Sequence, residues 1–220
     1  MENICGIAMK TILISLFLIA LPAAAIAQSF AVKGNAGSLG IGGEAVFSLN
    51  ESFNVRAGAN VFDFSYYHET SQGDEYDIDA NLHLNSISAL IDWYPFQNGI
   101  RLAGGIVHNR NEVKSVLIPK QSHQVGGDIY SPEELGNVEA DFRFPDFAPY
   151  FAIGLGNPFQ GSRFGVNADI GILYQGDPKV DMRAEGLLAP SANQAEIIEQ
   201  NISWANIYPA VTLSLYYRFK

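Results

Sequence analysis

Apolar residues at every second position recur along this chain, and few folds can satisfy that pattern. The closing segment "NIYPAVTLSLYYRFK" (206–220) sets Val211, Leu213, Leu215, Tyr217 and Phe219 against Ala210, Thr212, Ser214, Tyr216 and Arg218. A period of two puts alternate side chains on opposite faces of a strand, here one oily and one polar. The same alternation runs through "EAVFSL", "FNVRAGANV", "IRLAGGIV" and "APYFAIGLG". It is clearest in "FGVNADIGILY", where Phe164, Val166, Ala168, Ile170 and Ile172 oppose Gly165, Asn167, Asp169, Gly171 and Leu173. In "NSISALIDWYPF", Ile87, Ala89, Ile91 and Trp93 oppose Ser88, Leu90 and Asp92, whereas Leu82 and Leu84 upstream have the opposite parity. A bulge near Asn85 is the expectation from that switch. The oily face can lie against a protein core or against lipid.

The N-terminus narrows the choice. Lys10, an apolar run over 11–21 and the small-residue site Ala25-Ile26-Ala27 have the layout of a secretory signal peptide. Cleavage is expected after residue 27, and Met9 would serve as a tidier start than Met1. The run is short for a membrane anchor, which takes roughly 20 residues. Its removal takes away Cys5, the one cysteine, so the mature chain offers no disulfide, cysteine metal site or cysteine nucleophile. Residues 28–220 then form one domain. No later stretch is apolar enough for a spanning helix. A formal charge of −10 argues against nucleic acid, which requires clustered Lys and Arg. With 21 glycines and 12% aromatic residues, the composition suits an all-β chain with many turns.

Turn spacing and face polarity point to lipid. Connections at 50–52, 95–99 and 157–162 are tight, whereas those near 70–75, 118–137 and 176–206 are longer. Short periplasmic turns with long outer loops are the habit of outer-membrane barrels. The expected fold is an all-β, eight-stranded antiparallel transmembrane β-barrel with short periplasmic turns and longer extracellular loops. Its first strand is "SFAVKGNA" (29–36) if "GSLG" turns the chain, although 33–49 also reads as one long strand. The segment 191–204 reads as a short helix in the last long loop. The polar faces carry Glu44, Arg56, Asp92, Arg101, Asp169 and Arg218, three acids and three bases. In a secreted sandwich these would sit in water and need no balance. In an eight-stranded lumen, just wide enough for side chains, they must pair. A plug of guanidinium–carboxylate bridges is the expectation. Phe53, Trp93, Tyr94, Phe96, Phe159, Tyr217 and Phe219 lie beside the short turns, as an interfacial aromatic girdle would.

The signal peptide, the alternating strands and the terminal "LSLYYRF" resemble the small outer-membrane β-barrels of Gram-negative bacteria, the OmpA/OmpW-like group. "LIDWYPF", "GIRLAGGIVHNRN" and "ADIGILYQGDPKVDM" are similar to stretches of that group too. The resemblance implies an outer-membrane location, lipid and lipopolysaccharide around the strands, and delivery by the barrel-assembly machinery, which reads a C-terminal aromatic strand. It says little about activity. Some small barrels of this kind modify lipid A, but that chemistry needs a His within reach of a Ser. His68, His83, His108 and His123 are scattered without ligand spacing, and Ser65 and His68 fall on opposite faces. No catalytic residue, cofactor or metal is therefore expected. Asp74, Glu75, Asp77 and Asp79 cluster beside an outer loop, where the last two share a face and form a candidate cation site. A solvated acidic loop is the favoured reading, since the stretch lacks the regular oxygen spacing of a calcium motif. The expected role is a monomeric structural or surface-interaction barrel with a lumen largely closed by paired charges. The alternatives are a narrow pore for ions or small hydrophobic molecules, with inward Gly58, Gly105, Gly154, Gly165 and Gly171 leaving a path, and a lipid A-modifying enzyme.

Overall fold

A computed structural model describes residues 29–68 and 76–219. The signal-peptide segment, Asp74 and Glu75 lie outside the described residues. Among the described residues there are thirteen strands: β1 (Ser29–Gly37), β2 (Gly40–Ser48), β3 (Phe53–His68), β4 (Tyr76–Trp93), β5 (Ile100–Asn109), β6 (Glu112–Pro119), β7 (His123–Val125), β8 (Asp128–Tyr130), β9 (Val138–Arg143), β10 (Phe147–Leu155), β11 (Phe164–Tyr174), β12 (Lys179–Ala184) and β13 (Ile207–Arg218). Antiparallel pairing runs β1-β2-β3-β4-β5-β10-β11-β13 and returns to β1, a ring of eight strands. β1 and β2 are separate, joined through Ser38 and Leu39.

Polarity in the ring is inverted relative to a soluble domain. Ile87, Ile91, Ile153, Val166, Ile170, Leu213 and Leu215 point outward and are exposed, while charged residues fill the interior. An exposed apolar belt of this extent is stable only against lipid. Each of the three tight turns is closed by an asparagine carboxamide. Asn50 Oδ1 accepts from the Ser52 and Phe53 amides, Asn98 Oδ1 from Ile100 and Asn157 Oδ1 from Phe159, at 2.9–3.2 Å. Such side chains mimic a backbone turn and fix where each strand begins. The three turns and both described chain ends share one end of the ring, here the turn end.

At the other end, the loop end, five strands continue past the ring. β5 and β6 face β4 in one unbroken register, Ser86 opposite Asn109 and His83 opposite Glu112. β9 and β10 stand in the same relation to them. β3, β4, β6, β9 and β12 thereby form an outer sheet. The expected loops at 118–137 and 176–206 are thus shortened by strands. They also carry the β7–β8 hairpin, helix α1 (Pro132–Leu135) and helix α2 (Ala195–Asn201). The expected bulge near Asn85 is absent, for β4 pairs β3 without slip from Trp93 to Ile78. The break lies in the facing strand, where the Arg110 amide donates to Asn85 O and Asn111 Oδ1 accepts from the Asn85 amide.

The parity switch has another cause. Even-numbered residues of β4 face inward from Asp92 to Leu82, first Asp92, Leu90, Ser88 and Ser86 in the ring, then Leu84 and Leu82 in the outer sheet. Inside the ring that face meets polar groups. Above it, the same face becomes the apolar side of the outer sheet, in the row Phe64–Leu82–Val113–Phe142–Val180. The opposite face becomes the charged row Asp63–His83–Glu112–Arg143–Lys179.

Candidate functional site

The lumen is the one place where the ring assembles chemistry. Lys33 on β1 stands directly across from Glu44 on β2, and their side chains meet at 3.0 Å. Arg56 on β3 lies between acids, with Nη1 3.1 Å from Glu44 Oε2 and 3.5 Å from Asp169 Oδ2, and Nε 3.0 Å from Asp92 Oδ1. Arg101 on β5, wholly buried, donates through Nη2 to Asp169 at 2.6 Å and lies 3.6 Å from Asp92. Its Nη1 donates to the carbonyls of Gly156 and Leu155 at 2.5 and 3.1 Å. Every side chain in this layer is at most 9% exposed. Three cations face three anions, so the layer is neutral, which lowers the cost of burying it.

Gly154 explains how β5 reaches β11. It sits on β10 opposite both Arg101 and Asp169, between them. A Cβ there would fall 2.4 Å from Asp169 Oδ1 and 2.7 Å from Arg101 Cζ. The missing side chain is the space through which the guanidinium crosses. The inward glycines thus do not outline a path. At Gly165 the space holds the Tyr216 ring, and at Gly105 it meets Leu90.

Above the charges lies an apolar layer of Leu39, Leu90, Val107, Tyr150, Leu173 and Ala210. The β1–β2 turn is tied into the loop end by Tyr208 Oη donating to Ser38 O at 2.6 Å and Ser38 Oγ donating to Pro209 O at 3.0 Å. The cavity between the layers holds about 20 Å³, room for roughly one water. Toward the two mouths of the interior lie wider spaces, about 350 Å³ at the turn end and about 320 Å³ at the loop end.

Of the six charged positions read from the sequence, Glu44, Arg56, Asp92, Arg101 and Asp169 come together, and Arg218 does not. Arg218 ends β13, where its guanidinium donates to Phe159 O and Gly161 O of the last tight turn at 2.8 and 2.9 Å. Parity gave its face but not its depth. Lys33 takes the sixth place; its "AVKGN" context alternates in the same way, and charge on the inward face of β1 was the available signal.

Among the girdle residues, Phe53 and Trp93 are exposed cross-strand partners, and Phe96 and Phe219 are exposed. Phe159 and Tyr217 are half-buried. Tyr94 is a correction. It is buried, with Oη 3.5 Å from Gly156 O, because the chain turns inward after Trp93. A run of rings Phe47–Phe30–Phe219–Tyr217–Phe164, centroids 4.7–5.3 Å apart, extends the girdle onto β1, β2 and β11.

The candidate cation site is also altered. Asp77 is buried and its carboxylate pairs with Lys120 at 2.9 Å, and Asp79 accepts from Asn81 Nδ2. No group of three or more His, Cys, Asp or Glu side chains suited to a metal ion occurs among the described residues. On the outer sheet, Arg143 is shared by Glu112, Asp141 and Asp181 at 2.8–3.5 Å. Its hydrogen bond holds the Glu112 carboxyl below the ordinary glutamate range.

No protein-family model matches the chain, and no match appears among curated proteins. The backbone of the ring does align with solved structures. Acinetobacter baumannii CarO2 superposes with a TM-score of 0.60 at 17% identity, over 87% of this chain and 98% of that one. Acinetobacter baumannii CarO gives 0.58 at 19%, over 86% and 97%. The fold is that of an outer-membrane β-barrel. At such identities the likeness concerns the backbone arrangement, while the buried charge layer rests on this chain's own residues.

Proposed function

We propose that this protein is an outer-membrane β-barrel of structural and surface-interaction type whose lumen is blocked by paired charges. One observation carries the reading. Across the ring's interior, a neutral six-charge layer and an apolar layer leave a cavity of about 20 Å³ between them. A hydrated ion needs a continuous wet path, and salt bridges buried this deeply do not part without leaving uncompensated charge. The exposed aliphatic belt and the rings near the tight turns support a lipid setting, with the turn end in the periplasm. The outer sheet then stands above the membrane, its charged face turned toward lipopolysaccharide head groups and water. The barrel acts as a monomer, with activity residing in its outer surface rather than in catalysis.

Conductance of the refolded, signal-free protein in a planar lipid bilayer tests this. An unboiled gel first establishes the shifted band of a folded barrel. Silence is the expected result. Steady discrete openings that change with Arg101→Ala or Asp169→Ala would refute the blocked lumen and make the protein a narrow pore.

A further inference from the structure

The outer sheet has two edges, β12 and β3, and they are finished differently. At β12 the helix α2 closes the edge: the Val180 amide donates to Glu199 Oε1 at 2.9 Å, and Lys179 Nζ lies 3.6 Å from Glu199 Oε2. β3 loses its neighbour β2 at Val61, opposite Ile41, yet continues beside β4 to His68. Among the described residues no strand covers 62–68 on that side. The direction of the backbone groups is fixed lower down. Phe53 O accepts from the Leu49 amide on the β2 side, and Ser52 O accepts from the Tyr94 amide on the β4 side. Pairing with β4 is unbroken from Phe53 to His68, so odd-numbered residues of β3 direct amide and carbonyl away from β4 throughout. Asp63, Ser65 and Tyr67 therefore turn both groups to the open edge.

Proteins blunt such edges with proline, lysine, bulges or a covering element. The stretch "FDFSYY" (62–67) has no proline, lysine or glycine, and every one of its residues is exposed. On its inner face the Phe62 and Phe64 rings stack at 6.4 Å, and Tyr66 continues the aromatic row. On its outer face lie Asp63, largely exposed beside its 2.7 Å contact with His83, and Asp79, across from Tyr67.

We propose that this edge captures an extended segment of a partner protein as an added antiparallel strand, its apolar residues against Phe64 and Tyr66 and its basic residues on the face of Asp63. Backbone groups at strand spacing supply the affinity in this mode, and alternate side chains supply the choice of segment. Opposite charges directly across a ladder favour the basic residues. A second copy in the same membrane fits poorly, because both β3 strands rise in the same sense with a tilt of about 35–45° and would cross rather than pair. The inference rests on the surface-interaction reading and names its partner class. A conducting lumen would leave it standing, and failed capture would leave the blocked lumen standing.

The experiment uses the full refolded chain and a fluorescent peptide of alternating lysine and valine, read by anisotropy. In the added strand the lysines lie across from Asp63, Ser65 and Tyr67, so their amides point at β3 and the valine amides point away. Backbone N-methylation of the lysines should weaken binding about tenfold or more, while N-methylation of the valines should leave it unchanged. Ser65→Pro removes an edge donor without touching the β3–β4 ladder, and it should abolish capture while the heat-modifiable gel band is retained. Equal binding of the two N-methyl isomers would reduce the effect to charge attraction and overturn the proposal, a comparison that stands even if Ser65→Pro fails to fold. Absence of binding overturns it too, as does self-association that Ser65→Pro relieves, which would assign the edge to a second copy.

Discussion

Replacing Arg101 by Met tests the buried layer most directly. The substitution keeps an unbranched apolar stem like the arginine's own and removes the guanidinium with its donors. Asp169 loses its 2.6 Å partner and retains only Arg56 at 3.5 Å, and the carbonyls of Leu155 and Gly156 each lose a donor. The layer changes from neutral to a net charge of about −1 in a space without bulk water. Removing one partner of a buried pair costs about 3–5 kcal/mol, chiefly through the charge left behind. With a denaturant slope of about 2 kcal/mol per molar, a 4 kcal/mol loss moves the urea midpoint down by about 2 M. The midpoint is read as the loss of the heat-modifiable gel band in detergent. The companion variant Arg101→Met/Asp169→Leu removes both charges and should recover most of the loss, because replacing a whole buried pair with apolar groups is near neutral. The double-mutant cycle should therefore give a coupling energy above about 2 kcal/mol. A single substitution that leaves the midpoint unchanged would refute the reasoning, since it would mean that water already screens these charges.

Two further outcomes follow from the same geometry. Gly154→Ala drives a methyl into the Arg101–Asp169 contact, and it should lower the urea midpoint by a comparable amount without altering any charge; an unaffected midpoint would show that the guanidinium has room to reroute. Glu112 is held below its ordinary value by Arg143, so its contribution to the outer sheet is complete at neutral pH and disappears as pH falls through that lowered value. Protection factors of the β6 and β9 amides, taken relative to intrinsic exchange at each pH, should fall on acidification at constant ring stability, and Glu112→Gln should remove that pH dependence.

Much of this arrangement was legible in the chain because a strand's period reports the solvent on each side. Five of the six inward charges followed from parity alone. Depth did not. Arg218 shares the inward face of β13 with Ala210 and Ser214 but lies at its last residue, where turn carbonyls are the partners within reach. Tyr94 escaped because alternation ceases to specify direction once the chain enters a turn. Lys33 is less legible because "AVKGN" alternates over only a few residues before the glycine-bearing turn at 37–40. The outer sheet was hidden differently. "EVKSVLIP" and "VEADFR" do alternate, but each pairs with a segment far away in sequence, and only the shared register through β4 shows that they extend the ring.

The reversal of polarity along β3 and β4 carries information that a bulge would not. On β3, the face that carries buried Arg56 and Asn60 goes on to carry Phe62 and Phe64, which are largely exposed, while on the opposite face Val61 gives way to Asp63. On β4, the switch falls between Ser86 and Leu84, directly across the pairing. Two adjacent strands that exchange apolar and polar faces at the same level, without a slip in register, have crossed a boundary between solvents. Below that level the outer face meets hydrocarbon and the inner face a polar lumen. Above it, the outer face meets water and charged head groups, and the inner face must bury its own aliphatic side chains against the loop that carries Trp204. The apolar pocket at the loop end arises there, where five strands continue past the boundary while β1, β2 and β13 stop, leaving the inner face of the outer sheet only partly covered.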